Sequence, residues 1–146
     1  MLSFPPGQLL ASIILAVVLA FCCPGPRLLA PPFTLLGLVP IAAGIALNLA
    51  AAAALKCHAT TIKPFAESSA LVTDGVFGLT RNPIYLGMIL ILCGTALLLG
   101  AATPWAVCLG FAAQLHFRFV LAEEQMLAAR FGEAWLDYAA RVRRWV

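Results

Sequence analysis

Apolar runs separated by short polar segments set the expected architecture of this chain. The runs cover about residues 8–23, 33–55, 83–101 and 104–122. An α-helix of roughly 20 apolar residues can cross the hydrocarbon core of a bilayer. The first run is short for a span, but the positive residues that precede a signal-peptide core are missing, so we interpret it as a retained helix. The pattern predicts an all-α integral membrane protein with about four transmembrane helices.

The segments between the runs differ in length and composition. Residues 24–32 form a proline-rich loop, and residues 56–81 form the longest polar stretch. The turn at 102–104 is so short that the third and fourth helices should be antiparallel neighbours. We divide the single membrane domain into an N-terminal two-helix region, 1–55, and a second region, 56–146, which combines the polar loop, a helical hairpin and the tail.

The second apolar run contains residues that should shape its packing. Gly37 and Gly44 leave a thin surface on which a neighbouring helix can approach closely. Pro40 predicts a kink. Asn48 is a single polar residue at depth, and an interhelical hydrogen bond is its simplest role.

After residue 122 the helical pattern changes from uniformly apolar to amphipathic. Leu127, Phe131 and Trp135 fall on the apolar side, and Gly132 is expected to interrupt the helix. Arginines and a tryptophan follow between residues 138 and 145. This predicts a C-terminal amphipathic helix that anchors at the membrane interface.

Composition and charge support the membrane class and suggest an orientation. The chain is 63% hydrophobic and only 10% charged, whereas ordinary soluble domains are about 25% charged. The polar loop and the tail carry most basic residues, while the 24–32 loop carries only Arg27. The positive-inside rule then places both termini of a multi-pass protein in the cytoplasm. A basic tail at a membrane indicates contact with anionic lipid and not with nucleic acid.

Polar residues on the fourth helix are candidates for chemistry. His116 and Glu123 are seven residues apart, which places them two turns apart on one stripe of a continuous α-helix. Arg118 lies on a different stripe. Ionisable residues near membrane depth usually face the bundle interior or a wet cavity. One histidine with carboxylates supplies too few ligands for a metal, so we expect no metal site.

A second polar cluster precedes the third helix and should meet the first. Arg81, Asn82 and Tyr85 lie where the polar loop enters the third helix. Glu123 and Glu124 leave the fourth helix at the same side, because the tight turn lies at the far end of the hairpin. The two segments should therefore form a small polar pocket that is open to water on one side and to lipid on the other.

In chain order, these residues resemble the isoprenylcysteine carboxyl methyltransferase family and the related phospholipid methyltransferases. The similarity covers about the last 80 residues. Each element alone is weak, but the three in this order on a membrane hairpin are specific. The elements are Leu71-Val72-Thr73-x-Gly75-Val76-Phe77, Arg81-Asn82-Pro83-x-Tyr85-x-Gly87 and Glu123-Glu124-x-x-Leu127-x-x-x-Phe131-Gly132-x-x-x-x-x-Tyr138-x-x-x-Val142-x-Arg144.

The resemblance implies an integral membrane enzyme that uses S-adenosylmethionine. It implies that Glu123 binds the amino group of the cofactor's methionine moiety through a charge-assisted hydrogen bond. Two positions depart from the family pattern, since Phe77 stands where tyrosine is frequent and Asn82 stands where histidine is found. The cofactor-binding candidates that it implies are Ser69, Ala70, Leu71, Val72, Phe77, Asn82, Pro83, Ile84, Tyr85, Glu123 and Glu124.

The catalytic candidates are Arg81, His116 and Arg118. Arg118 is the nearest match to a family arginine that contacts the polar end of the substrate. His116 is the titrating group that could take a proton from an amine or thiol acceptor. A carboxylate acceptor is already a nucleophile and needs no base. The resemblance implies a lipophilic small-molecule or prenylated substrate, with a prenylcysteine-type carboxylate favoured, and membrane lipid as its surroundings.

Other interpretations remain open. A membrane reductase of the sterol or steroid type shares a similar C-terminal helical layout, but NADPH requires several basic groups near the pocket, and only Arg81, Arg118 and Arg130 are at hand. A small non-enzymatic membrane scaffold would need no ordered polar pocket. A homo-oligomer is also open, because four thin helices could need a partner to close the pocket.

Overall fold

Six α-helices form the framework of the computed structural model, which describes residues 4–58 and 70–146. Within those two segments no strand occurs, and the single β-bridge pairs Arg27 with Ala101. In chain order, the helices are α1 (Pro5–Cys22), α2 (Leu38–Cys57), α3 (Pro83–Leu99), α4 (Thr103–Leu115), α5 (Leu121–Phe131) and α6 (Glu133–Arg141).

The helices have the length and composition of a membrane protein. In the described part of the chain, three stretches are long and apolar enough to cross a bilayer: Pro5–Cys22, Phe33–Cys57 and Thr103–Phe131. α3 is also apolar and has 17 residues, which corresponds to about 26 Å against a hydrocarbon thickness of about 30 Å. The predicted all-α membrane fold with about four apolar helices is confirmed.

The start of the second helix differs from the sequence expectation. A 3₁₀ helix, Phe33–Gly37, precedes α2. Pro40 therefore lies in the first turn of α2 and not in the interior of one long helix. The missing N–H of proline leaves no intrahelical hydrogen bond unmade at this position. The change from 3₁₀ to α geometry occurs before the proline.

α2 and α3 pack antiparallel with their backbones in close contact. Gly37 lies against Gly94, and Gly44 lies against Gly87. A methyl group at Gly44 would lie 2.5 Å from the carbonyl oxygen of Gly87 and 2.9 Å from Cγ1 of Ile91. The thin surface predicted from the glycines of the second apolar run is confirmed, and it is matched by two glycines at the same spacing on α3.

Asn48 lies on the same seam beside Gly87. A methyl group at Gly87 would collide with the Asn48 side-chain oxygen and would lie 2.8 Å from the Gly44 carbonyl oxygen. The Asn48 Oδ1 is buried and makes no hydrogen bond within the described residues, so the predicted interhelical hydrogen bond is not formed by this atom. α2 and α3 can thus pack this closely only because residue 87 has no side chain.

The tight turn after α3 sets the direction of the second hairpin. Gly100 ends α3 with a φ of 67°, a left-handed conformation that glycine adopts without strain. Its carbonyl oxygen accepts the backbone N–H groups of Leu28 and Leu29 at 2.8 and 3.2 Å. The 24–32 loop therefore covers this turn, and α3 and α4 are antiparallel neighbours, as predicted.

The apolar core lies between α1, α3 and α4. It brings buried residues of α3 against α4 and the turn that follows it, and the largest fully buried side chains include Leu92 and Leu115. α3 contacts α1, α2 and α4 and is the central helix of the bundle. The start of α3 lies at the end of the bundle opposite to the 24–32 loop, and that end holds the polar residues.

Candidate active site

A cavity opens where the start of α3 meets α5 and α6. Its polar wall carries Arg81, Asn82, Tyr85, Glu123 and Glu124. The remaining wall is mostly apolar or aromatic, with contributions from the first turn of α1, the last turn of α2 and the segment before α3. These lining residues are Phe4, Pro5, Pro6, Leu55, Ala70, Leu71, Val72, Phe77, Pro83, Ile84, Met88, Leu127, Trp135 and Tyr138.

The phenol of Tyr85 directs Glu123 into the cavity. Pro83 starts α3, so Tyr85 lies in the first turn and its side chain reaches across to α5. The Tyr85 hydroxyl donates a hydrogen bond of 2.7 Å to Oε2 of Glu123. Among the described residues, no cation forms an ion pair with Glu123. Its carboxylate therefore keeps acceptor capacity for a positively charged ligand group.

Glu124 has the opposite environment, although it is the next residue. Its carboxylate accepts the Arg144 guanidinium through Nε at 3.1 Å and Nη2 at 2.8 Å. The Asn82 amide donates to Oε1 at 3.4 Å, and Nη1 of Arg81 lies 3.6 Å from the same oxygen. The hydrogen bonds to Glu124 raise the pKa of Arg144. Glu124 is thus a buried carboxylate that already has a cationic and an amide partner.

Arg81 is held on the cavity wall by three kinds of contact. Its guanidinium lies beside Glu124, and its Cζ lies 5.6 Å from the centroid of the Trp135 ring. Its backbone N–H donates to the carbonyl of Arg143 at 3.0 Å. Its Nε is buried and has no hydrogen-bond partner within the described residues. A buried donor without a partner is costly, and a ligand acceptor in the cavity would satisfy it.

Tyr138 ties α6 to the segment that precedes α3. Its hydroxyl donates a hydrogen bond of 2.7 Å to the carbonyl oxygen of Phe77. Burial is the main cause that raises the pKa of Tyr138 to about 12. The Trp135 ring packs edge-on against Tyr138, with centroids 5.7 Å apart. α6 therefore contributes two aromatic side chains to the cavity wall, and the Tyr138 hydroxyl is already hydrogen-bonded to a backbone carbonyl.

The structure brings together most of the residues that the sequence singled out. All the described cofactor candidates line the cavity, and so does Arg81. Ser69 lies outside the described residues. The two segments that were expected to converge at the mouth of the hairpin do so, through the contacts of Tyr85 with Glu123 and of Asn82 with Glu124.

His116 and Arg118 are not among the residues that line this cavity. The His116 ring contacts the rings of Phe117 and Trp145, with centroid distances of 4.9 and 6.0 Å. Its Nδ1 is buried without a hydrogen-bond partner in the described segments. Arg118 is exposed. Their catalytic roles stay predictions.

A π-helical turn explains why His116 does not share a stripe with Glu123. Residues His116–Val120 form this turn between α4 and α5. A π turn takes up one residue more than an α turn, so it rotates the following helix by about 100° relative to a continuous α-helix. The seven-residue spacing was interpreted on a continuous α-helix, and that interpretation is wrong.

Some lining residues were missed by the sequence analysis. Trp135 and Tyr138 are three residues apart and share one face of α6, and both are buried. This spacing was visible but was assigned to interfacial anchoring. Phe4 and Leu55 belong to the ends of α1 and α2, and no local signal in these apolar runs indicates a cavity.

Comparison with known proteins adds one finding to this geometry. The family model described as phospholipid methyltransferase matches residues 33–134, which is more than half of the chain. The matched segment starts before α2, includes α3 and the pair at residues 123 and 124, and ends in the first turn of α6. No curated protein and no solved structure matches.

Proposed function

Because the chain belongs to the phospholipid methyltransferase family, we propose that it transfers a methyl group from S-adenosylmethionine to a lipophilic acceptor at the cytoplasmic membrane face. Membership in this family makes the protein a membrane methyltransferase and agrees with the resemblance found in its motifs. The donor, the acceptor and the side of the membrane are our proposals. The observation that carries the donor proposal is that Glu123, which forms no ion pair within the described residues, shares one cavity with the Nε of Arg81, which has no hydrogen-bond partner there.

The cavity residues fit the amino acid part of S-adenosylmethionine. The Glu123 carboxylate would accept the ammonium group through a charge-assisted hydrogen bond. The buried Nε of Arg81, which has no partner within the described residues, would donate to the carboxylate group. The apolar residues Leu71, Val72 and Met88 lie on the same cavity and would exclude water from the rest of the donor.

The chain needs only to position the reactants for this chemistry. The donor supplies a methyl group activated on a sulfonium sulfur. With the donor bound, the acceptor atom would form a bond to the methyl carbon, and the electron pair of the broken carbon–sulfur bond would remain on sulfur. Tyr85 fixes Glu123, Glu124 fixes Arg81, and the apolar wall excludes water that would compete with the acceptor.

The cavity lining favours a carboxylate acceptor. An amine or thiol acceptor must lose a proton, and His116 lies outside the cavity lining. A carboxylate acceptor gains the methyl group on oxygen and becomes a neutral ester without any base. We propose a prenylcysteine-type carboxylate or a similar lipophilic acid, whose chain would reach the cavity beside Phe4 and Leu55 at the ends of α1 and α2.

The distribution of basic residues supports the proposed orientation. The starts of α1, α3 and α5 and the end of α2 all contribute to the cavity, so they lie at one end of the bundle. Lys56, Arg81 and Arg144 belong to that end, while Arg27 lies by the turn at Gly100. By the positive-inside rule, this distribution supports a cytoplasmic position of the cavity in a multi-pass protein.

Donor binding tests the proposal directly. Purified protein in detergent is titrated with S-adenosylmethionine by calorimetry, and Glu123→Gln is compared with Glu133→Gln, a change at an exposed position outside the cavity lining. Loss of a hydrogen bond to a charged group predicts a Kd that is raised roughly 10- to 100-fold by Glu123→Gln. Glu133→Gln should bind like the wild type. Equal tight binding by all three proteins would remove Glu123 from the site.

A second comparison separates the enzyme classes. S-adenosylmethionine should raise the melting temperature of the wild type, because a ligand that binds the folded state stabilises it. NADPH should not. The reverse result would support the membrane reductase, and no response to either would support the scaffold. Incubation with labelled donor and a lipid extract, followed by mass analysis, then distinguishes a methyl ester from a methylated amine.

A further inference from the structure

The segment after α6, residues 142–146, returns across the start of α3. Val142 leaves the helix in an extended conformation, with φ −115° and ψ 130°. The carbonyl oxygen of Arg143 then accepts the backbone N–H of Arg81 at 3.0 Å. This is a long-range contact between the tail and the residues that open α3, and it lies beyond the segment that the family model matches.

Arg144 makes more hydrogen bonds to the rest of the protein than its neighbours in this segment. Its carbonyl oxygen accepts two hydrogen bonds of 3.1 Å, one from the Thr80 hydroxyl and one from the Asn82 amide. Its guanidinium donates to both oxygens of Glu124. One residue of the tail is therefore bonded through backbone and side chain to three positions on two other elements.

The 142–146 segment supports the cavity from outside. None of its residues lines the cavity, although Arg81, Asn82 and Glu124 do. Trp145 adds an apolar contact, because its ring lies 6.0 Å from that of His116 and packs against the core. The segment is thus a layer behind the polar wall and not a lid over the opening.

We propose that Arg144 is a positioning residue for the donor site, which acts by pairing with the charge of Glu124 so that Arg81 is not drawn further onto this carboxylate than the observed 3.6 Å. This proposal rests on the proposed function, because the quantity that tests it is the affinity for S-adenosylmethionine. It assigns a role to the tail that neither the family match nor the motifs provide.

Competition for Arg81 is the physical basis of this role. With Arg144 in place, Glu124 has a bidentate cation at 2.8–3.1 Å, and Arg81 remains at 3.6 Å. Without Arg144, the buried carboxylate of Glu124 would keep Arg81 as its one cationic partner within the described residues. A buried carboxylate attracts its remaining cation strongly, so Arg81 would turn towards Glu124 and away from the donor.

The experiment compares four variants of the full chain. Arg144→Gln removes the charge, and Arg144→Lys keeps the charge but loses the bidentate geometry. Arg143→Gln is the matched control, since the neighbouring side chain is exposed and its backbone carbonyl is unchanged. The double change Arg144→Gln with Glu124→Gln removes both charges. Each protein is measured for S-adenosylmethionine Kd, for the donor KM, for kcat and for melting temperature.

We expect Arg144→Gln to raise the donor Kd and KM on the order of tenfold, with a smaller change in kcat. Arg144→Lys should lie between this variant and the wild type, and Arg143→Gln should match the wild type. The double variant should recover donor affinity relative to Arg144→Gln, because no unpaired carboxylate remains to attract Arg81.

The possible results separate the two proposals. A lower melting temperature with unchanged donor Kd in Arg144→Gln would overturn the positioning role and leave the proposed function intact. The same applies if the double variant binds the donor no better than Arg144→Gln. If Arg144→Gln cannot be purified, a wild-type Kd and KM in Arg144→Lys would overturn the role. A wild type that does not bind the donor would overturn the proposed function and this inference with it.

Discussion

Replacement of glycine by alanine should have opposite effects on stability at two positions, one at the close contact between α2 and α3 and one on α4. Gly44→Ala places a methyl group 2.5 Å from the Gly87 carbonyl oxygen and 3.1 Å from the Ile91 backbone nitrogen. Both contacts are with backbone, so no side-chain rotation relieves them. Gly110→Ala on α4 is the matched control, because a methyl group there meets no atom within 4 Å.

The expected magnitudes follow from two competing effects. Replacement of glycine by alanine inside a helix stabilises it by about 1 kcal/mol. Overpacking of a close contact costs about 1–3 kcal/mol, and the upper end applies because the α3 backbone must move. Gly44→Ala should therefore lower the free energy of unfolding by about 2 kcal/mol. Gly110→Ala should raise it by up to about 1 kcal/mol.

The assay is reversible unfolding of the purified protein in mixed micelles, followed by circular dichroism as the denaturing detergent is increased. A second measurement is the donor Kd, since Gly87 lies one turn after Pro83 and a displaced α3 moves Tyr85 relative to Glu123. The reasoning is refuted if Gly44→Ala and Gly110→Ala change stability in the same direction. If both raise stability, helix propensity outweighs the backbone contact; if both lower it, the control position is not free of contacts as the structure indicates.

Three further predictions concern the cavity and its margins. Tyr138→Phe removes a hydroxyl hydrogen bond and should lower the free energy of unfolding by about 1 kcal/mol, measured by thermal unfolding. The pKa of Tyr138 is about 12 in the folded state and 10.0 in the unfolded state, so the stability linked to this hydroxyl is complete below pH 10 and is lost as the pH rises towards 12. The variant has no such hydroxyl and should not show this loss. His58→Gln breaks an exposed contact of 3.1 Å with Asp74 and should change stability by less than about 1 kcal/mol, so a larger drop in melting temperature would contradict the surface assignment. Ile84→Trp adds bulk to a lining residue and should weaken donor binding in calorimetry, whereas Ile89→Trp, at a partly buried position outside the lining, should not.

The helices could be predicted from the sequence because the bilayer imposes a simple requirement. Every backbone polar group in hydrocarbon must be bonded within the protein, and a continuous apolar run satisfies this only as a helix. The runs at 33–55 and 83–101 thus correspond to helical segments that end near Cys57 and Leu99. The short turn at 102–104 then predicted that α3 and α4 are antiparallel neighbours and that the polar segments at the far end of this hairpin meet.

The π turn could not be predicted from the same pattern. Residues His116–Val120 are compatible with an α-helix in composition, and only the register of the backbone hydrogen bonds distinguishes the two. A one-residue change in register rotates all later side chains, so the face of Glu123 depends on a feature without a local signal. The contacts of Arg144 were also hidden, because a contact 62 residues away in sequence leaves no trace in periodicity.

The two adjacent glutamates show how such long-range contacts decide function. Neighbouring residues on an α-helix point about 100° apart, so Glu123 and Glu124 cannot face the same partner. Glu123 meets the phenol of Tyr85, a neutral donor that leaves its charge available. Glu124 meets Arg144, which neutralises it. Under the proposed function, Glu123 binds the cationic donor while Glu124 is already compensated by Arg144. Two unpaired carboxylates in one buried site would repel each other and raise the cost of both. The proposed donor site therefore uses a contact from the tail as well as residues of the hairpin.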